Sequence, residues 1–200
     1  MRMNAIMRVI NIFLILSVIP FVGICGAAEA DDQDNMLLLQ VLSQHYKNGG
    51  FTVVAPETYI FGRGRNESAL VEMKRRVVDK LRIEGYDIGP LFDKLMEKNS
   101  ISYPLSLKSS PENGYLIDYD GKFAKYFVDK GDGWEKWYSE NPTAYGWTRV
   151  SLPVCDAEAG IVLVYKDTQS HWLGGAGSII AYRMVGGVIT ELSRVRLWVS

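Results

Sequence analysis

Apolar residues recur at helical spacing through the first half of the chain. Three segments show this spacing and are predicted to be helices: residues 35–47, 66–81 and 90–99. In the first segment Leu38, Val41 and Leu42 form the apolar side, with Asn35 as the N-cap. The second and third segments follow each other closely, so we expect them to form a helical hairpin.

The last third of the chain changes to a β-strand pattern. Four runs are rich in β-branched and aromatic residues: Trp147–Val154, Ile161–Thr168, Ser178–Val185 and Val188–Val199. Their connections are short, which favours antiparallel pairing of consecutive strands. The second run is apolar in both alternating positions, so we expect it to be the central strand. Two shorter strands are predicted near residues 51–61 and 115–119.

These elements predict an α+β fold in which N-terminal helices pack on a C-terminal four-stranded antiparallel meander sheet. The helical part covers about residues 31–112 and the sheet part about residues 113–200, within a single domain. We expect the helices to cover one face of the sheet and to leave the other partly exposed.

The first thirty residues have the order of a secretory signal: basic residues, an apolar run, small residues and then the acidic "DDQD". Ala28 and Ala30 occupy the small-residue positions of a cleavage site. We therefore predict that residues 1–30 are a signal peptide, cut after Ala30, and that the mature chain is periplasmic or extracellular. A lipoprotein signal ending at Cys25 is the alternative, and it fits less well because Ile24 stands where a small residue is needed.

Charge and cysteine content narrow the class of protein further. Without residues 1–30 the chain carries 20 basic and 22 acidic side chains, a balance that does not favour nucleic acid or an anionic membrane as a partner. Cys155 is then the only cysteine, so we expect no internal disulfide to stabilise the domain.

Four stretches of the C-terminal half, "GWEKWYSENPTAYGW", "VSLPVCDAEAGIVLVY", "SHWLGGAGSIIAY" and "VRLWVS", contain a succession of five short motifs. These are a Gly-Trp-Glu and Pro helix, a Ser-bearing strand, an "ALVY"-like strand, a glycine turn and a terminal Trp-Val-Ser. In this succession residues 113–200 resemble an uncharacterised family of bacterial secreted and envelope proteins. The resemblance implies a compact secreted domain and supplies no catalytic residue. Many relatives have a cysteine pair near the glycine turn, where this chain has Trp172 and Gly175.

Two glycine-rich stretches have the composition of phosphate-binding loops. In "SHWLGGAGSII" Gly177 is followed by Ser178 and a strand pattern without the lysine of a P-loop, so we predict a wide hairpin connection. In "FGRGRNES" Arg63 and Arg65 stand beside a predicted helix N-terminus. They form a candidate anion-binding site for phosphate or carboxylate, with an exposed basic turn as the alternative.

Residue types that carry catalysis are present but do not form recognisable sets. Cys155 and His171 fall at opposite ends of a predicted strand, roughly 30 Å apart, too far for a nucleophile and its base. His45 lies on the apolar side of the first helix and is expected to pack there. We therefore predict no catalytic residue, no metal and no cofactor.

Acidic residues cluster between residues 118 and 135, namely Asp118, Asp120, Asp129, Asp132 and Glu135. Their spacing does not match a calcium-binding loop, and turn formation explains them better. A pair of carboxylates that converges only in the fold, as in glycosidases, is the alternative.

The most favoured function is a non-catalytic binding or interaction module, with another envelope protein or a small ligand as its partner. The candidate partner surface consists of arginine and tryptophan side chains of the predicted sheet: Arg149, Arg183, Arg194, Arg196, Trp147 and Trp172. The alternative is a hydrolase-type envelope enzyme whose carboxylates converge only in the fold. A pocket that holds two or more carboxylates would favour that alternative.

Overall fold

The computed structural model describes residues 30–43, 50–64, 66–127 and 133–200. Within these residues four α-helices pack on a seven-stranded mixed sheet, so the protein has an α+β fold. The helices are α1 (Ala30–Ser43), α2 (Glu67–Lys80), α3 (Gly89–Lys98) and α4 (Gly133–Glu140). The strands are β1 (Phe51–Val54), β2 (Tyr115–Ile117), β3 (Ala144–Val150), β4 (Val154–Asp156), β5 (Ile161–His171), β6 (Gly174–Val185) and β7 (Val188–Val199).

The three predicted helices are all present, and the predicted hairpin of α2 and α3 is confirmed. An ion pair joins the two helices, with 2.6 Å between Lys74 Nζ and Asp93 Oδ2. The first helix begins five residues before the predicted N-cap Asn35, which lies inside α1. Cys25 and His45 lie outside the described residues.

The sheet order is β2-β1-β3-β5-β6-β7, and β4 also pairs with β5. The four C-terminal runs do pair antiparallel, with residues 151–153 dividing the first of them into β3 and β4. The prediction of a four-stranded antiparallel meander is nevertheless wrong for the sheet as a whole, because β1 pairs in parallel with both β2 and β3. This pairing joins segments that are distant in sequence, and it extends the sheet at the β3 side.

Helices cover both faces of the sheet, which corrects the expectation of a partly exposed face. On one face Leu38 and Leu42 of α1 pack against the even-numbered residues of β5, such as Val162. On the other face α2 and α3 pack against its odd-numbered residues, such as Leu163. The apolar run in both alternating positions of β5 therefore reflects a strand buried on two sides.

A buried asparagine fixes α3 to the break between β3 and β4. Asn99 is fully buried, and its side chain donates to the carbonyl oxygens of Leu95 and Leu152 at 2.9 and 3.0 Å. Its Oδ1 accepts the backbone N–H of Leu152 at 2.7 Å. The Asn99 side chain thus supplies the backbone of Leu152 with the hydrogen bonds that it lacks because it lies between two strands.

We expect Asn99→Ala to lower the free energy of unfolding by about 2–4 kcal/mol, because Leu152 is left with an unpaired buried N–H and carbonyl. Urea denaturation monitored by circular dichroism measures this loss. The exposed Asn113→Ala is the matched control, with an expected change within about 0.5 kcal/mol. Equal effects of the two substitutions would contradict the assigned role.

A lysine is buried where the apolar run of β5 ends. Lys166 lies opposite Val150 and Ser178 on the α1 face of the sheet. Burial lowers its pKa to about 8, and the nearby Arg194 acts in the same direction while Glu191 opposes it. Lys166 therefore loses its proton at a lower pH in the folded chain than in the unfolded chain.

We expect the stability of the protein to rise with pH above 8 because of Lys166. Its pKa is lower in the folded chain than the ordinary value of 10.5, so the unfolded chain binds more protons between these two values. The free energy of unfolding should increase by about 2 kcal/mol from pH 7 to pH 9.5. Urea denaturation across this range measures the slope, which should disappear in Lys166→Met and persist in the exposed control Lys80→Met.

Candidate functional site

A pocket of about 340 Å³ opens beside the α2–α3 face of the sheet, beyond the end of β1. Its walls come from the segment after β1, from the loop after α3, and from single residues of β3, β5 and β7. The lining residues that carry polar or aromatic groups are Glu57, Tyr59, Arg63, Ser102, Arg149, Tyr165 and Trp198. The pocket size lies within the range of small-molecule sites.

The segment after β1 is held rigidly as one wall of this pocket. The backbone N–H of Ala55 donates to the Thr148 carbonyl at 2.9 Å, and that of Tyr59 donates to the Val150 carbonyl at 2.8 Å. On its other side Thr58 bonds to the backbone of Tyr103. Because Pro56 prevents the strand from continuing as a regular ladder, these bonds fix an irregular wall.

A buried carboxylate organises the floor of the pocket. Asp167 is only 2% exposed and accepts two hydrogen bonds from Arg149, at 3.1 Å from Nε and 2.7 Å from Nη2. Its Oδ2 also accepts the hydroxyl of Tyr165 at 2.7 Å. The antiparallel register places Asp167 directly opposite Arg149, so the ion pair follows from the strand pairing.

Two groups of this network have shifted pKa values. Burial, followed by the nearby charge of Asp167, raises the pKa of the Tyr165 phenol far above its usual value. Burial disfavours the charged form of Arg149, but the hydrogen bonds and charge of Asp167 outweigh this effect and raise its pKa. Tyr165 therefore keeps its proton and Arg149 its charge.

Aromatic rings pack beside the Arg149–Asp167 ion pair and also line the pocket. The guanidinium carbon of Arg149 lies 5.3 Å from the centre of the Tyr59 ring, and that ring packs 4.2 Å from the Tyr165 ring. The indole Nε1 of Trp198 donates to the Tyr165 hydroxyl at 2.9 Å. The chain of contacts Trp198–Tyr165–Asp167–Arg149 thus runs across three strands.

The glycine cluster near residue 175 makes room for this arrangement. Residues 174–177 lie in β6, and the hairpin turn consists of Trp172 and Leu173, so the predicted wide connection is wrong. A Cβ at Gly177 would overlap Trp198 Nε1 and lie 2.6 Å from the Tyr165 hydroxyl. The glycine is therefore needed because an indole lies flat against the strand at this point.

Arg63 reaches the pocket from the turn that precedes α2. Gly62 and Gly64 on either side have positive φ angles of 87° and 70°. Arg63 is exposed and has no hydrogen bond or ion pair with another described residue. The N-terminus of α2 is capped by Asn66, whose side chain accepts the N–H of Ala69 at 2.9 Å. Arg65, the second predicted anion-binding residue, lies outside the described residues.

The structure does not bring the predicted partner surface together. Arg149 and Arg183 lie on the α2–α3 face of the sheet, whereas Arg194 and Arg196 lie on the α1 face, as their strand partners show. Arg183 donates to the Ala159 carbonyl at 2.7 Å, at the end of β5 far from the pocket. The register thus separates arginines that look equivalent in sequence.

The two tryptophans of that predicted surface also have different surroundings. Trp147 stacks on Phe123 with ring centres 4.5 Å apart, within the aromatic cluster around α4. Trp172 is half exposed in the β5–β6 turn and meets the edge of Phe127. Neither residue lines the pocket of Arg63 and Arg149.

The remaining candidates stay apart or are already bonded. Cys155 pairs with Val162 at one end of β5 and His171 lies at its other end, so the expected separation is confirmed. Both oxygens of Asp118 accept backbone N–H groups, and Asp120 forms an ion pair with Lys122. Asp129 and Asp132 lie outside the described residues, whereas Glu135 is in the first turn of α4.

Four important residues of the pocket escaped prediction from the sequence: Tyr59, Tyr165, Asp167 and Trp198. The run "IVLVYKDT" did contain a signal, because charged residues that continue a strand buried on both sides need partners. The partner itself follows only from the register between β3 and β5.

Comparison of the chain with protein-family models, with curated proteins and with solved structures finds no match. The resemblance of residues 113–200 to a family of envelope proteins therefore stays a prediction. In the described part of the chain no group of three or more His, Cys, Asp or Glu side chains is placed to hold a metal ion. No helix of that part is long and apolar enough to cross a membrane.

We expect Gly177→Ala to lower the free energy of unfolding by about 1–3 kcal/mol, because the added methyl group displaces the indole of Trp198. A double-mutant cycle with Trp198→Ala, measured by urea denaturation, isolates this cause. In the Trp198→Ala background the extra methyl group should cost less, because only its close contact with the Tyr165 hydroxyl remains. An equal cost in both backgrounds would show that the clash with the indole is not the reason.

Proposed function

We propose that the protein is a secreted, periplasmic or extracellular, binding module whose pocket takes a small ligand that carries a carboxylate or phosphate group. The observation that carries this proposal is that two arginines, Arg63 and Arg149, line the same pocket. Guanidinium groups match the geometry of carboxylate and phosphate oxygens.

The two arginines offer different kinds of contact to such a ligand. Asp167 fixes Arg149 through its Nε and Nη2 groups, which leaves Nη1 for a ligand. Arg63 has no partner among the described residues and can turn toward the ligand from an exposed loop. Arg149 is fixed in place and Arg63 can adjust its position, so the two guanidinium groups can bind the same anionic group of a ligand.

The other lining residues restrict the ligand further. Glu57 is exposed on the pocket wall and accepts the hydroxyl of Ser102 at 3.2 Å. Its charge disfavours a ligand with anionic groups at both ends and favours one with an amino or hydroxyl donor. The rings of Tyr59 and Trp198 offer flat surfaces to the rest of the ligand. Amino acids and sugar acids have this combination of groups.

The alternative of a hydrolase has less support from the pocket. Asp167 is held by Arg149 and Tyr165, and among the described lining residues Glu57 is the carboxylate that reaches the pocket. A pair of carboxylates lines a different pocket near β2, but Asp118 and Asp120 are both engaged in turn and ion-pair contacts. A general acid and base pair needs groups that are available to a substrate.

Exposed apolar side chains also favour a small ligand over a broad protein interface. Trp172 and Leu173 are exposed before β6, whereas Val185 at its end and Val188 at the start of β7 are exposed beside the next turn. These two pairs stand at opposite ends of a twelve-residue strand, so they do not form one patch.

We expect a ligand of this class to raise the melting temperature of the protein, and Arg63→Gln to reduce that rise. Differential scanning fluorimetry with amino acids, hydroxy acids, sugar acids and sugar phosphates measures the shift. A ligand at about 100 times its Kd stabilises by about 2.7 kcal/mol. Arg63→Gln should leave the melting temperature without ligand unchanged, since Arg63 has no described partner.

The matched control is Arg82→Gln, an exposed arginine at the end of α2 and outside the pocket. It should retain the full shift produced by the ligand. A ligand whose effect is reduced equally by both substitutions binds through general charge, which would contradict the proposed pocket.

A further inference from the structure

A second and larger pocket, of about 600 Å³, lies at the β2 edge of the sheet. It is separate from the Arg63–Arg149 pocket, with which it shares no lining residue. Its walls come from β1, β2, the segment before β2, the turn after it and α4. Most of the apolar side chains that line it belong to the two cores beside this edge: Val53, Leu107, Leu116, Ile117, Phe123 and Trp137.

The apolar walls of this pocket belong to buried residues at the edge of the sheet, since Val53, Ile117, Phe123 and Trp137 are only 1–7% exposed. β2 has three residues and is the last strand on its side of the sheet. Beyond it, Tyr119 closes one side of the pocket, because its hydroxyl bonds to the carbonyl oxygens of Leu105 and Leu107 at 2.9 and 3.0 Å. The result is a cavity with fixed walls, in which the polar residues Ser109, Asp118, Asp120 and Asn141 stand beside the apolar ones.

Lysines surround this mouth. Lys108 and Lys122 line the large pocket, and Lys122 also lines an adjoining recess of about 250 Å³ together with Lys125 and Lys136. Tyr126 belongs to both, so the two cavities are neighbours. All four lysines are exposed.

The carboxylates near these lysines do not neutralise all of them. Asp118 is occupied by the backbone N–H groups of Lys122 and Phe123, and Glu140 accepts the hydroxyl of Tyr126. Asp120 pairs with Lys122 at 3.0 Å. Three lysines, Lys108, Lys125 and Lys136, have no ion pair with another described residue, although Lys136 lies over the Tyr126 ring.

We propose that the β2-edge pocket binds a long-chain carboxylate, with its alkyl chain on the apolar walls and its carboxylate group among the lysines. The apolar lining favours a chain because burial removes both surfaces from water. The unpaired lysines favour an anionic head group over a neutral one by charge complementarity. This site is independent of the Arg63–Arg149 pocket, so either proposal can fail without the other.

Tryptophan fluorescence of the purified protein tests this site directly. Bromine atoms on an alkyl chain quench a tryptophan that they touch, and Trp137 lines the pocket. The probe is 9,10-dibromostearate, added below the concentration at which it forms micelles. We expect saturable quenching, reversed by unbrominated stearate, and a loss of most of that quenching in Trp137→Phe.

The lysine rim is tested by reversing two exposed charges in the variant Lys125→Glu with Lys136→Glu. We expect its affinity for dibromostearate to fall about fivefold or more, because two charges that attract the carboxylate are replaced by two that repel it. The matched control is Lys80→Glu with Lys94→Glu, two exposed lysines on α2 and α3. This control and Arg63→Gln should both retain the affinity of the unsubstituted protein.

Four results would overturn the proposal. Absence of saturable quenching excludes the site, and quenching that persists in Trp137→Phe, in a protein with an unchanged circular dichroism spectrum, places the chain elsewhere. Displacement of the probe by stearyl alcohol as readily as by stearate would show that the lysines do not recognise the head group. Equal losses of affinity in the two lysine variants would lead to the same conclusion.

Discussion

The carboxylate of Asp167 is a charge in the middle of a sheet that helices cover on both faces, and the rest of the pocket depends on how that charge is satisfied. Only 2% of the residue is exposed, so water cannot stabilise it. Arg149 and Tyr165 supply three hydrogen bonds to it. Trp198 then bonds to Tyr165, and Gly177 leaves the space that the indole needs. The need to pair one buried charge thereby fixes the positions of side chains on β3, β5 and β7.

The fold could be predicted from the sequence wherever it rests on local pattern. The helical spacing over residues 66–81 predicted α2, and the β-rich runs after Ile161 predicted the strands that pair with their neighbours in sequence. The parallel pairing of β1 with β2 and β3 has no comparable signal. It joins segments more than sixty residues apart, and a short strand such as "FTVV" has the same pattern in either direction.

The candidate site could be predicted only in part, for a related reason. Arg63 and Arg149 were each singled out, one for its glycine turn and one for its strand, but nothing in the sequence connects them. Their convergence depends on the segment after β1 bonding to β3. The arginines of β7 were instead predicted to share a surface with Arg149, and the structure places them on the other face of the sheet. Alternation alone cannot place Arg194 and Arg196, because register shifts between β6 and β7 interrupt it.

The two pockets differ in chemistry because they occupy different positions in the sheet. The Arg63–Arg149 pocket lies over central strands, where charged groups must be paired and are therefore fixed. The β2-edge pocket lies where the sheet ends in a three-residue strand, so buried apolar side chains line a cavity there beside charged residues. β1 and the segment after it join the two, since Val53 of β1 lines one pocket and Ala55, directly after β1, lines the other. Its ladder bonds to β2 and β3 hold it on both sides, so the strand forms a rigid wall between the two pockets.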